Sequence, residues 1–346
     1  MKKLLIRAYC QSNLGDDLFV LQLARRYPET QFYLYTLGEN QNAFRDQPNL
    51  VLPGTWDRIR RKLTHTLHIP RREVFDGQGL DGRVAIGGSI FWEGAPTDYL
   101  EGTFLIGANC EDSYSPAYRQ KLSSALASAA GCCFRDRFSY EQFRELPRVT
   151  CAPDVLYDWA PVQSPCRGKG IGISVVSRKG AFQDDSLRQS YYDAIAGLCD
   201  LCRKEHIPVK LLGFCRSEGD GEAMEAIRTR TADPGDLTCV LYQGDVDTFL
   251  EEMNGCETIL ATRFHAMILG WVLGKNVVPI LYSSKQTHVL EDAGFQGPMW
   301  NALKGETCTG PELLEMARRQ EGRLDISKLK QEAGQQFDAL DKFLQA

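Results

Sequence analysis

The chain contains no apolar stretch approaching the ~20 residues that a membrane-crossing helix requires. It also lacks an excess of positive charge. The net charge of −5 excludes a general basic surface for nucleic acid. The one dense basic run, Arg58-Ile-Arg-Arg-Lys62 with Arg71 and Arg72 beyond it, reads as a solvated helix face and loop. No Walker P-loop, internal repeat or low-complexity segment is present, and no cluster of metal-ligand residues, so neither a metal nor a cofactor is expected. Histidine is scarce, with five residues in the chain. Cysteine is not scarce, but the twelve are scattered, with Cys132-Cys133 adjacent and Cys110 and Cys239 in apolar runs. They read as reduced, mostly buried thiols of a cytoplasmic protein rather than as a disulfide framework. Met1-Lys-Lys-Leu-Leu-Ile opens like a signal peptide, but its apolar run stops at Arg7 and reads as a first strand.

What is present is strand–helix alternation. With 346 residues, 43% of them hydrophobic, the chain has room for about two domains with their own cores. Apolar strands are predicted at 3–9, 31–37, 83–86, 103–108 and 132–134. Pro153, Pro161, Pro165 and Gly168 punctuate a linker. A second set follows at 170–176, 209–214, 238–242, 258–261 and 277–282, with a helix over 186–205. This predicts an α/β protein of two doubly wound, Rossmann-like domains facing across a cleft. The domains are expected at 1–160 and 165–305, with a helical tail over 306–346 packing back on the body.

The richest stretch runs from Glu257 to Lys285. Thr258–Ala261 reads as a buried strand, and Phe264, Met267, Ile268, Trp271 and Val272 mark one helix face. Gly274 sits at the helix C-terminal position. Arg263 and His265 therefore fall at a strand-to-helix junction, off the apolar stripe, where the helix dipole favours anions and a neutral imidazole. His265 is the candidate general acid/base; His65, His68, His206 and His288 have no such context and read as surface residues. Arg178 and Lys179 end the first strand of the second set, and Ser283 and Lys285 follow its last. In the first set, Asn13-Leu-Gly-Asp16 follows strand one and reads either as a ligand-binding turn or as a plain helix cap; it is not the GxGxxG fingerprint. Gly87-Gly88 ends a buried strand, either as a tight turn or as bare backbone lining a ligand. Arg135 and Arg137 follow another strand as candidate anion clamps, or as partners of Asp136.

Taken in order, Asn13-x-Gly-Asp16, Gly87-Gly88, Arg135-Asp-x-x-Ser139, Ala152-Pro-Asp154, Arg263-x-His-Ala266 and Tyr282-x-x-Lys285 resemble the polysaccharide pyruvyl transferase family. Ser89, where that family often has a third glycine, and Cys110-Glu111, where it often has a Gly-Pro turn, depart from the pattern. The resemblance implies a fold similar to GT-B glycosyltransferases. It also implies transfer of pyruvate from phosphoenolpyruvate, as co-substrate, to two hydroxyls of a sugar or lipid-linked saccharide.

On this basis Arg263 and His265 are the expected catalytic residues. Arg135, Arg178, Ser283 and Lys285 are expected on the donor, and Asn13, Asp16, Asp154, Gly87 and Gly88 on the acceptor. No nucleic acid and at most a peripheral membrane association are expected. The competing readings are a nucleotide-sugar glycosyltransferase, which the fold would host equally, and a non-catalytic glycan-binding member.

Overall fold

The computed structural model describes residues 1–54, 75, 78–161, 165–177, 182, 184–235 and 237–346. Arg178, Lys179, His65, His68 and the basic residues at 58–62 and 71–72 lie outside the described residues. Two compact units emerge. The first comprises Met1–Ser12, Asp16–Val155 and Gly334–Ala346; the second comprises Asn13–Gly15 and Leu156–Ala333.

The first unit contains β1 (Lys3–Arg7), β2 (Gln31–Leu34), β3 (Leu50–Val51), β4 (Gly82–Ile86), β5 (Thr103–Ala108), β6 (Gly131–Phe134) and β7 (Val149–Cys151). They form one sheet in the order β3-β2-β1-β4-β5-β6-β7, with every pairing parallel. The second unit contains β8 (Ile171–Ser174), β9 (Val209–Gly213), β10 (Thr238–Leu241), β11 (Thr258–Ala261) and β12 (Asn276–Pro279). Their order is β10-β9-β8-β11-β12, again all parallel. Parallel sheets must be covered on both faces, and the strands show it: all of β5, β8, β11 and β12 is buried. In each sheet the strand order reverses once, at β1/β4 and at β8/β11. Open α/β sheets place their ligands at such reversals, beyond the strand carboxyl ends.

Helices α1 (Leu14–Arg26), α2 (Pro116–Ala127) and α3 (Arg137–Glu141) connect the first sheet. α1 starts at Leu14, directly after Asn13, whose Oδ1 accepts from the Gly15 amide (3.2 Å), and Asp16 and Asp17 favour the positive helix end. In the second unit come α4 (Asp185–Lys204), α5 (Asp220–Arg228), α6 (Val246–Asn254), α7 (Phe264–Val272) and α8 (Ser284–Asp292). Asp184 caps α4 by accepting from the Leu187 amide at 2.8 Å. Gly274, with φ of 68°, closes the end of α7 as its spacing predicts.

The strand pairs β2/β3 and β6/β7 show what the sequence reading missed. β3 and β7 are only two and three residues long, too short to show a pattern of their own; pairing to a neighbour makes them strands. The expected tail over 306–346 is shared between the units. α9 (Gly310–Arg318) packs on α4, where a methyl group on Gly310 would come within 2.5 Å of the Gly197 backbone. After α10 (Ser327–Ala333), residues 334–346 belong to the first unit and end in α11 (Asp338–Gln345). There the buried Gln336 donates to the carbonyls of Ala152 (2.7 Å) and Phe134 (3.2 Å) and accepts from the Gly107 amide (2.9 Å).

All twelve cysteines are free thiols, and Cys239, expected in a buried run, is exposed on β10. Cys199 and Cys202 on α4 have the Cys-x-x-Cys spacing that elsewhere marks metal or redox sites, but both face the core. Among the described residues no histidine, cysteine or carboxylate group is arranged to hold a metal. No described helix is long and apolar enough to cross a membrane.

Candidate active site

At the β8/β11 reversal of the second unit, the buried Ser174 at the end of β8 fixes the start of α7. Its Oγ accepts from the amides of Thr262 (2.9 Å) and Arg263 (3.0 Å). The Gln286 side chain ties the same turn to the next strand, donating to the Thr262 carbonyl at 2.9 Å and accepting from the Tyr282 amide at 3.0 Å. The loop carrying Arg263 is therefore held from both sides.

The Arg263 guanidinium is buried, and two carboxylates occupy it. Its Nε donates to Asp220 Oδ2 at 3.1 Å, Nη2 donates to Asp220 Oδ1 and Nη1 to Glu218. Asp220 is 0% exposed and also accepts from the amides of Phe214 (2.8 Å) and Cys215 (2.9 Å). Burial pushes the Asp220 carboxyl upward, against the pull of Arg263 and those amides. Burial likewise opposes the Arg263 charge, but Asp220 and Glu218 overcome it and hold the guanidinium above its ordinary value. The guanidinium of the expected catalytic arginine is thus already engaged. With two carboxylates on one guanidinium, the cluster offers no surplus positive charge to a phosphate.

The segment Asn13–Gly15 docks on the same strand ends. Asn13 bridges Cys215, and the Leu14 amide donates to the Phe214 carbonyl at 3.0 Å. Gly15 faces His265 so closely that an added Cβ would lie 1.7 Å from the imidazole Nδ1. The glycine of the first motif therefore makes room for the histidine of a motif 250 residues later. His265 is partly exposed in the first turn of α7, with its ring edge-on to Phe264 at 5.1 Å. The Lys285 ammonium lies 6.0 Å from the centroid of that phenylalanine ring, in the first turn of α8. Ser283 is the N-cap of α8, with Gln286 closing the cap. His265 and Lys285 thus stand at the positive ends of two helices that follow adjacent strands.

In the first unit, Arg135 and Asp154, expected on donor and acceptor respectively, are instead bound to each other at 3.0 Å. Arg135 also donates to Asn109 Oδ1 at 2.6 Å, and both charged residues are buried. The guanidinium lies against Gly88, where a Cβ would come within 2.3 Å of it. Gly88 is bare because the arginine fills its side-chain space. Asp136, the alternative partner considered for the nearby arginines, instead caps α3 by accepting from the Ser139 amide at 2.7 Å. Gly87, with φ of 149°, would place a Cβ 3.8 Å from the Asp16 carboxylate, which sets Asp16 beside the glycine turn.

Residues 13–284 match the polysaccharide pyruvyl transferase family. The chain belongs to that family. No curated protein matches the sequence. Among solved structures it is similar to HepE of Anabaena, determined with UDP and glucose: 16% identity, 100% of this chain and 98% of the other covered, TM-score 0.53. It is similar also to the UDP-GlcNAc 2-epimerase of Neisseria meningitidis, at 11% identity, with both chains fully covered and a TM-score of 0.60. At such identities the likeness shows the fold, which is GT-B-like.

For this family member the sequence reading missed Ser174, Glu218, Asp220 and Gln286. Glu218-Gly-Asp220-Gly, after the short turn that follows β9, was the available signal. On its own an acidic glycine-rich run reads as a solvated loop.

Proposed function

We propose that this transferase moves pyruvate from phosphoenolpyruvate to two hydroxyls of a sugar in a cell-surface polysaccharide or its lipid-linked precursor. The product is a ketal and the leaving group is phosphate. The observation that carries this reading is the meeting of the Asn13-x-Gly15 and Arg263-x-His265 motifs around one imidazole. In the proposed route a proton is added to the methylene carbon of phosphoenolpyruvate, and a sugar hydroxyl adds to the adjoining carbon while losing its proton. The bond from that carbon to the phosphate oxygen breaks, and a second hydroxyl closes the ring. His265 serves these proton transfers, which such a group typically accelerates by ~10²–10⁴.

The anionic donor is assigned to Lys285 and the amino ends of α7 and α8, with Ser283 at the cap and Arg178 as a further candidate. Arg263 becomes a positioning residue, because its guanidinium is occupied by Asp220 and Glu218. Arg135 and Asp154, paired with each other, take the same kind of role beneath Gly88. For the acceptor the proposal keeps Asp16 and the Gly87–Gly88 backbone, with Asn13 shaping the turn.

The test is thermal stability with millimolar phosphoenolpyruvate, beside Lys285→Ala and a UDP-glucose control. A donor that binds only the folded state raises the midpoint by mass action, and the rise should vanish in the variant. Stabilisation by UDP-glucose instead would make the protein a nucleotide-sugar enzyme. No response to either, with no phosphate release, would favour the non-catalytic reading.

A further inference from the structure

The first unit carries two large aromatic side chains that stay about half exposed. Apart from Met1, the exposed large hydrophobic residues among those described are Tyr9 (43%) and Trp92 (50%). Scattered singly, such residues need no explanation. These two leave the carboxyl ends of adjacent strands. Arg7 of β1 pairs with Ala85 of β4, so Tyr9 and Gly87 each lie two residues beyond the same register point. Trp92 follows on the loop that Gly87 and Gly88 open. Both aromatics therefore flank the β1/β4 reversal, where a doubly wound sheet holds its ligand.

The Trp92 loop is not loosely held. Phe91 beside it is buried, and the Ile90 amide donates to the Gly88 carbonyl at 2.9 Å. The Ala95 amide donates to the Trp92 carbonyl at 2.9 Å. The Glu93 carboxylate accepts from the Ser115 amide (2.9 Å) and hydroxyl (2.7 Å), while the Glu93 amide donates to Glu111 at 3.0 Å. The backbone is anchored on both sides of a half-exposed indole.

We propose that Trp92 and Tyr9 form a stacking platform for a neutral pyranose ring, with Asp16 and the Gly87–Gly88 backbone receiving its hydroxyls. A pyranose presents a face of C–H groups, whose partial positive charge suits the negative face of an aromatic ring. The surroundings disfavour an anion such as a nucleotide: the Asp16 carboxylate lies beside Gly87, and Glu93 and Glu111 hold the Trp92 loop. The nearby Arg7 guanidinium stacks on the Tyr99 ring, 4.1 Å from its centroid. The platform rests on the proposed function insofar as the ring it holds is the acceptor.

The experiment is saturation-transfer NMR on the full chain with methyl glucoside, galactoside, mannoside and N-acetylmannosaminide, comparing wild type with Trp92→Ala, Trp92→Phe and Tyr9→Ala. At least one glycoside should receive transfer on its ring C–H protons. Its affinity should fall by roughly 10-fold in Trp92→Ala and recover in Trp92→Phe. Absence of binding to the wild type would overturn the proposal, as would binding indifferent to both aromatic positions or displaced from Trp92 by UDP. Phosphoenolpyruvate stabilisation is measured on the same samples. If it is present while glycosides ignore Trp92, the platform fails and the donor reading stands. If glycosides use Trp92 and phosphoenolpyruvate does not bind, the donor reading fails alone.

Discussion

A methyl group at Gly15 would occupy the space of the His265 imidazole, 1.7 Å from Nδ1, so one of the two must move. Gly15→Ala is expected to shift the His265 ring resonances in an NMR titration and leave those of the other histidines in place. Unchanged His265 signals would show that the ring does not rest on Gly15. The Arg263 cluster makes a different prediction, one of stability. Removing one partner of a buried pair leaves the other uncompensated, so Arg263→Ala and Asp220→Ala should each cost about 3–5 kcal/mol by denaturant unfolding. The double variant should cost clearly less than the sum, since the two residues share one interaction. Additive losses would mean that the two act separately. The sequence singled out Arg263 and His265 as candidates because their residue types and spacing are local. It could not show what fills the guanidinium, since Asp220 arrives from another strand end.

At the scale of elements, the structure of the first unit depends on the turn that leads into its last helix. Gln336 joins the ends of β5, β6 and β7 through one buried amide group. Its replacement by leucine leaves buried carbonyls and an amide without that partner, at about 1–3 kcal/mol for each unsatisfied group. Urea unfolding of Gln336→Leu should show the first unit melting earlier while the transition of the second stays in place. A shift of both together would mean that they unfold as one. The helix itself was legible from its polar, periodic sequence. Its destination was not, because a helix pattern records which face is apolar and not which sheet covers it. β3 and β7 failed for a related reason: a strand of two or three residues carries too little periodicity to read.

At the scale of the whole molecule, the cysteines set an alkaline limit. Burial pushes the thiols of Cys110, Cys133 and Cys199 up to about 12, and those of Cys202, Cys215 and Cys256 to about 11, from an ordinary 9.0. The unfolded chain would ionise them near 9.0. Their contribution to stability is therefore intact below that pH and lost as the pH rises through the folded values. Unfolding midpoints should be steady in this respect near neutrality and decline from about pH 9 upward. In the native state at pH 8, a thiol reagent should label exposed Cys166 and Cys239 first and reach the buried thiols only on unfolding. Early labelling of Cys132 or Cys199 would contradict the burial described above.

The sequence by itself determined the alternation of strands and helices, the parallel α/β class and the motifs of the family, because these depend on short-range periodicity and residue type. The tertiary structure decided which motifs meet. It set Gly15 under His265, closed Arg263 with Asp220 and Glu218, turned Arg135 and Asp154 toward each other, and returned the last helix to the first sheet. Each of these joins residues distant in the chain. Burial and charge pairing depend on what surrounds a side chain, and no local pattern encodes that.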